Sequence, residues 1–74
     1  MKHTIAVIGC GRIANNAHFP ALSEIDGVRI KYACDIIEKK AKAAKEAFPI
    51  IEQVITDYKV ALNDPEVVKA YIGN

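Results

Sequence analysis

The chain has 74 residues, 51% of them hydrophobic and 26% charged, and a formal net charge of +1. That length allows at most one small domain, able to bury only about 60% of the surface its unfolded form exposes, and the composition excludes a disordered chain. Its apolar runs fall far short of the roughly 20 residues needed to cross a bilayer, so no membrane partner is expected.

Met1-Lys2-His3-Thr4 opens no secretory apolar stretch with a small-residue cleavage site, and the chain is read as cytoplasmic. The first strand is expected over Thr4-Ile5-Ala6-Val7-Ile8, a short β-rich run ending at Gly9 that suits a buried strand of a parallel sheet. A helix-compatible segment follows from Arg12, with Ile13, Ala17 and Ala21 at helical spacing. Pro20 should kink or restart it near His18-Phe19-Pro20, because its ring displaces the bond its own N–H would give. The second piece should reach Ile25, and Asp26-Gly27 is a turn signal.

Val28 to Cys34 reads as the second strand, alternating apolar with polar at first and then apolar up to Asp35. The second helix is expected from Ile37 to Phe48, with Ile37, Ala41, Ala44 and Phe48 on one face and Pro49 as its stop. Lys39, Lys40, Lys42 and Lys45 crowd this segment without the interleaved aromatics that nucleic-acid binding needs, and they read as a solvated helix face. No nucleic-acid partner is expected. A brief strand near Glu52 to Ile55, a Thr56-Asp57 cap for a short helix over Tyr58 to Leu62, a break at Asn63-Asp64-Pro65, and a last strand over Val67 to Ile72 complete the chain. Strands alternating with helices at this spacing imply an α/β, Rossmann-type parallel sheet of about four strands in the order 3-2-1-4, with flanking helices.

Gly9, Gly11 and Ala14 form GxGxxA between the first strand and its helix. Gly9 permits the tight exit from the strand, Gly11 lets the backbone approach a ligand because no Cβ intervenes, and Ala14 keeps the helix close to the sheet. The free N–H groups around Arg12 and Ile13, together with the helix dipole, then favour an anion such as a pyrophosphate. Asp35 follows Ala14 by 21 residues, at the end of the next strand, where a carboxylate can accept hydrogen bonds from both hydroxyls of an adenosine ribose. The expected cofactor-binding set is Gly9, Gly11, Arg12, Ile13, Ala14 and Asp35.

Asp35 would repel a 2′-phosphate, and no arginine stands at Ile36 or Ile37 to neutralise one. NAD is therefore favoured over NADP, with Lys39 or Lys40 the residues that could reverse the preference. Asp35 can also cap the second helix, a role compatible with the first. Arg12 either covers the pyrophosphate or extends into solvent. His18 reads as a solvated or structurally bonded side chain at the helix kink, and no partner for acid–base work can be named. Cys10 and Cys34 fit neither a zinc-ligand spacing nor a disulfide scaffold, so both are expected to be reduced and structural, close together at the strand ends, and no metal site is expected.

Ile8-Gly9-Cys10-Gly11-Arg12-Ile13-Ala14, His18-Phe19-Pro20-Ala21-Leu22, Ala33-Cys34-Asp35, Thr56-Asp57-Tyr58 and Asp64-Pro65-Glu66-Val67 occur in this order. Together they resemble the N-terminal dinucleotide-binding domain of the Gfo/Idh/MocA oxidoreductases. The resemblance implies NAD(P)-dependent oxidation or reduction by hydride transfer, commonly of a sugar, inositol or related polyol, with Gly9, Gly11, Ala14 and Asp35 in the cofactor site. It departs at Val68-Lys69-Ala70-Tyr71-Ile72-Gly73-Asn74, where the family has an alanine-threonine-proline-asparagine turn. The family's glutamate-lysine-proline segment, which carries its catalytic lysine, and its substrate domain have no counterpart, so no catalytic residue is assigned.

The chain is accordingly read as a partial dinucleotide-binding domain over residues 1–74. NAD binding by the isolated chain is expected to be weak or absent, and the outer edge of the last strand should invite self-association. Two other readings stand beside this one. A noncatalytic nucleotide-binding module could regulate a partner, or a chain without nucleotide chemistry could serve only in assembly.

Overall fold

The computed structural model describes residues 3–11 and 19–72. The elements, in chain order, are β1 (His3–Ile8), α1 (Phe19–Ser23), β2 (Val28–Cys34), α2 (Glu38–Ala47), β3 (Gln53–Ile55), α3 (Tyr58–Leu62) and β4 (Lys69–Ile72). The four strands form one sheet in the order β3-β2-β1-β4, every neighbouring pair parallel, as the alternation of strands and helices implied.

β1 lies inside this sheet, and Thr4, Ile5, Ala6 and Val7 are all buried, which is why its sequence is an unbroken apolar run and not an alternating one. Successive side chains serve opposite layers. Ile5 and Val7 join Phe19, Leu22, Ile30, Ala41, Ala44 and Ile51 on the α1/α2 side, whereas Ala6 packs with Tyr32 and Ala61 on the α3 side. Helices thus cover both faces.

In β2 the pairing with β1 slips by one residue. Ile5 stands opposite Ile30, but Ala6 stands opposite Tyr32, so Lys31 is extra. The slip explains why the apolar pattern of this segment changes phase midway: Val28, Ile30 and Ala33 all serve the α1/α2 core although Ile30 and Ala33 are an odd number of residues apart. Lys31, released from the ladder, reaches Asp64 at 2.6 Å, and the Tyr32 hydroxyl donates to the same carboxylate at 2.6 Å. The loop before β4 is thereby tied to the sheet. Asp64 also accepts from the Glu66 N–H at 2.9 Å, and this turn delays β4 to Lys69, two residues later than the apolar run suggests.

In α2 the short side chains of Ala41 and Ala44 let the helix lie close to the sheet, and the Phe48 ring stacks on Phe19 with centroids 5.4 Å apart. The helix ends at Ala47, and Phe48, at φ −129° and ψ 82°, has left the α region that a following proline disfavours. Ile37 departs from the expected core face. It precedes the helix and is about half exposed. Lys45 departs too: it is not simply solvated but donates to the Ile51 carbonyl, helping to hold the α2–β3 connection. Asp57 caps α3 through the Lys59 N–H at 2.9 Å, as expected. Gly27 supplies the positive φ, 84°, required by the turn before β2. α1 contains Pro20 and ends at Ser23, earlier than Ile25; the part of that expectation that concerns residues 12–18 lies outside the described residues.

Candidate functional site

The parallel register brings the carboxyl ends of all four strands level: Ile8 pairs with both Cys34 and Ile72, and Cys34 with Ile55. In an open α/β sheet, ligands bind in the crevice outside these ends. Here a cleft of about 450 Å³ opens above β1, β2 and β3, within the range of small-molecule and cofactor sites.

Gly9 leaves β1 at φ 91°, a left-handed conformation in which any Cβ would crowd the following carbonyl. Its N–H donates to the Cys34 carbonyl at 2.6 Å, so the turn begins as a continuation of the ladder with β2. The next N–H, that of Cys10, donates to the Asp35 carboxylate at 2.9 Å, and the other carboxylate oxygen accepts the Ile37 N–H at 2.8 Å. Asp35 also gives its own N–H to the Ile55 carbonyl at 3.2 Å. One residue therefore joins the tips of β1, β2 and β3. It is not itself the N-cap of α2: Ile37 holds that position and its own side chain makes no cap hydrogen bond, while Asp35, two residues earlier, accepts the Ile37 amide.

Gly9, Gly11 and Asp35 line the same cleft. Arg12, Ile13 and Ala14, the rest of the expected cofactor-binding set, lie outside the described residues, as do His18 and the helix start that was expected to face the anion. The sequence reading did not assign Ile36, Ile37, Thr56 and Tyr58, which also line the cleft. Ile36 is 86% exposed and Tyr58 46%, an apolar rim at the mouth beside the polar carboxylate. Their common signal was position: each follows directly on the carboxyl end of β2 or β3. Lys40, held in reserve at the sequence level, lines the cleft as well.

Cys10 is buried beneath the turn, and its Sγ lies 3.4 Å from the Cys34 carbonyl, so the two cysteines do converge, both as free thiols. Burial first, and the Asp35 and Cys34 charges after it, push the Cys10 thiol up to about 12. Burial and Asp35 also raise Cys34. Such thiols stay protonated at neutral pH and are poor nucleophiles. Among the described residues no cluster of three or more His, Cys, Asp or Glu side chains could hold a metal ion, and no helix is long and apolar enough to cross a membrane. The cleft offers a glycine cradle that a Cβ would fill, one anchored carboxylate and apolar walls, a set suited to binding the adenosine and phosphate portion of a dinucleotide.

These features define a Rossmann-type α/β unit with a cleft at the strand tips. Among solved structures, its neighbours are oxidoreductases of the Gfo/Idh/MocA type. The chain is similar over 100% of its length to myo-inositol dehydrogenase from Lactobacillus casei, determined with NAD(H) and myo-inositol, at 27% identity and a TM-score of 0.89. Over the same span it is similar to KijD10, a 3-ketoreductase from Actinomadura kijaniata determined with TDP-benzene and NADP, at 26% identity and a TM-score of 0.85. Scyllo-inositol dehydrogenase from Lactobacillus casei, with NAD(H) and scyllo-inositol, shares the fold at 17% identity and a TM-score of 0.81, again over 100% of this chain. The chain spans 22%, 23% and 22% of the length of these three proteins, respectively. No protein-family model and no curated protein matches it.

Proposed function

We propose that the chain is the nucleotide-binding portion of an NAD(P)-dependent oxidoreductase, part of its N-terminal domain, working in the cytoplasm by hydride transfer on a sugar, inositol or related polyol. The observation that carries this reading is the joint between Cys10 and Asp35: a glycine turn at the tip of β1 is held by the carboxylate at the tip of β2, and both line one cleft. Gly9, Gly11 and the Arg12–Ala14 segment would take the diphosphate, Asp35 the adenosine ribose, and Ile36 and Tyr58 the faces of the base. NAD(P) supplies the hydride chemistry when bound, and the chain's residues bind and orient it. The similarity to inositol dehydrogenase supports the polyol class.

Saturation-transfer NMR, which detects weak ligands, tests the reading. With the glycine turn already joined to Asp35, binding of NAD by the 74-residue chain should be weak but not absent, and Gly11→Val, which projects a side chain into the cleft, should abolish the signal while the variant keeps its far-UV spectrum. A Gly11→Val chain that binds NAD like its parent would overturn the assignment.

A further inference from the structure

In the order β3-β2-β1-β4 the chain builds outward from β1 to β3 and then returns to the other side of β1, so the strand order reverses between β1 and β4. Open α/β sheets hold their ligands outside the strand tips at such a reversal. The Gly9–Gly11 turn leaves the tip of β1 on one side of it, and the tip of β4, where Ile72 stands level with Ile8, is on the other. Yet β4 is an edge strand of four residues with a ladder to β1 alone. A short ladder on one side gives a segment little local stability.

The base of β4 is fastened a second time, to β2, over the intervening β1. Successive side chains of a regular strand point to opposite faces, but the bulge at Lys31 interrupts that alternation, and bulges re-aim side chains beside functional sites. Lys31 and Tyr32, adjacent in sequence, thus meet the same oxygen of Asp64, each at 2.6 Å. The Lys31 ammonium also holds Glu66 at 2.5 Å. Asp64 and Glu66 flank Pro65 in the turn that feeds β4, and the Val68 N–H then donates to the Thr4 carbonyl at 2.9 Å. Only 16% of the Lys31 side chain and 11% of that of Asp64 are exposed, against 67% and 62% for Lys42 and Glu38, so salt and water screen the Lys31 pair far less.

We propose that Lys31 is a positioning residue of the site: re-aimed by the bulge, it clamps the Asp64–Glu66 turn to β2 and so holds the tip of β4 beside the glycine turn. The clamp needs no ligand, and its bearing on binding rests on the dinucleotide reading above.

Amide hydrogen exchange of the 74-residue chain, followed residue by residue, tests it. Lys31→Met, similar in reach but uncharged, should speed exchange in β4 about tenfold, the scale of one hydrogen bond to a charged group, while Ile30 and Ala33 in β2 keep their rates. Asp64→Asn, which still accepts the Tyr32 hydroxyl, should loosen β4 in the same place to a lesser degree and add little to Lys31→Met, since both act on one link. Lys31→Arg should retain the slow exchange. NAD, followed by the shifts of Gly9 and Gly11, should bind Lys31→Met severalfold more weakly than the parent. Equal acceleration in β2 and β4, no acceleration in either, or an NAD affinity unmoved while β4 loosens overturns the proposal. A parent chain that fails to bind NAD overturns the dinucleotide reading instead, and the exchange rates of β4 then decide the clamp on their own.

Discussion

The main-chain N–H of Cys10 donates to the side chain of Asp35 across 2.9 Å, joining the turn after β1 to the tip of β2. Because the other Asp35 oxygen holds the Ile37 N–H, the residue shapes both walls of the cleft before any ligand arrives. A carboxylate at this position is thus a structural element of the cleft and a candidate ligand contact at once.

Replacing Asp35 should consequently cost stability as well as binding. Asp35→Ala strands two main-chain N–H groups, and a loss of about 1–3 kcal/mol is expected in urea unfolding. Asp35→Asn, whose amide oxygen still accepts, should lose less. Equal stability of Asp35→Ala and the parent would show that these bonds exchange freely with water.

Gly9 is the second fixed point of the turn. Its φ of 91° means that Gly9→Ala should destabilise by about 1–2 kcal/mol, the cost of a Cβ in the left-handed region. Urea midpoints at unchanged slope would report it, and no shift would place the turn in another conformation.

The Lys31–Tyr32–Asp64 cluster should give the chain an acid-sensitive step. The Lys31 ammonium, then the Tyr32 hydroxyl and the Glu66 N–H, hold the Asp64 carboxyl down to about 2, against an ordinary 3.8. A group depressed on folding stabilises the fold fully above its unfolded value and loses that contribution as pH falls. Stability should therefore decline from pH 3.8 toward about 2, and Asp64→Asn should flatten this part of the profile. A parent and variant with parallel acid limbs would contradict the coupling.

Much of the fold was legible because its signals are local. The unbroken apolar run of β1, the Ala41/Ala44 spacing of α2, Pro49 as a stop and Asp57 as a cap each act within a few residues, and the strand order follows from chirality once strands and helices alternate. The Lys31 slip was visible only as a change of phase in β2, since a one-residue excess is defined by the partner strand and not by the strand itself. In the site, glycine and aspartate announce themselves by type and spacing. Ile36 and Tyr58 do not, because exposed apolar residues are common and acquire meaning only when the register sets strand ends level. That Asp35 holds the Cys10 amide was equally hidden, being a bond between residues 25 apart in sequence.

β4 ends the sheet, and Val68 before it is 67% exposed. We propose that copies of the 74-residue chain associate through this edge, since a terminal strand offers a template for further pairing. Sedimentation velocity should show mass rising with concentration. A monomer at every concentration would exclude the association.

The most direct measurement is an amide-resolved NMR titration of the ¹⁵N-labelled chain with NAD. The expected result is a set of saturable shifts centred on Gly9, Cys10 and Gly11 and on Asp35 to Ile37, the two sides of the joint. Saturable shifts confined to another face of the sheet, or none at millimolar NAD, would contradict a dinucleotide site at the strand tips.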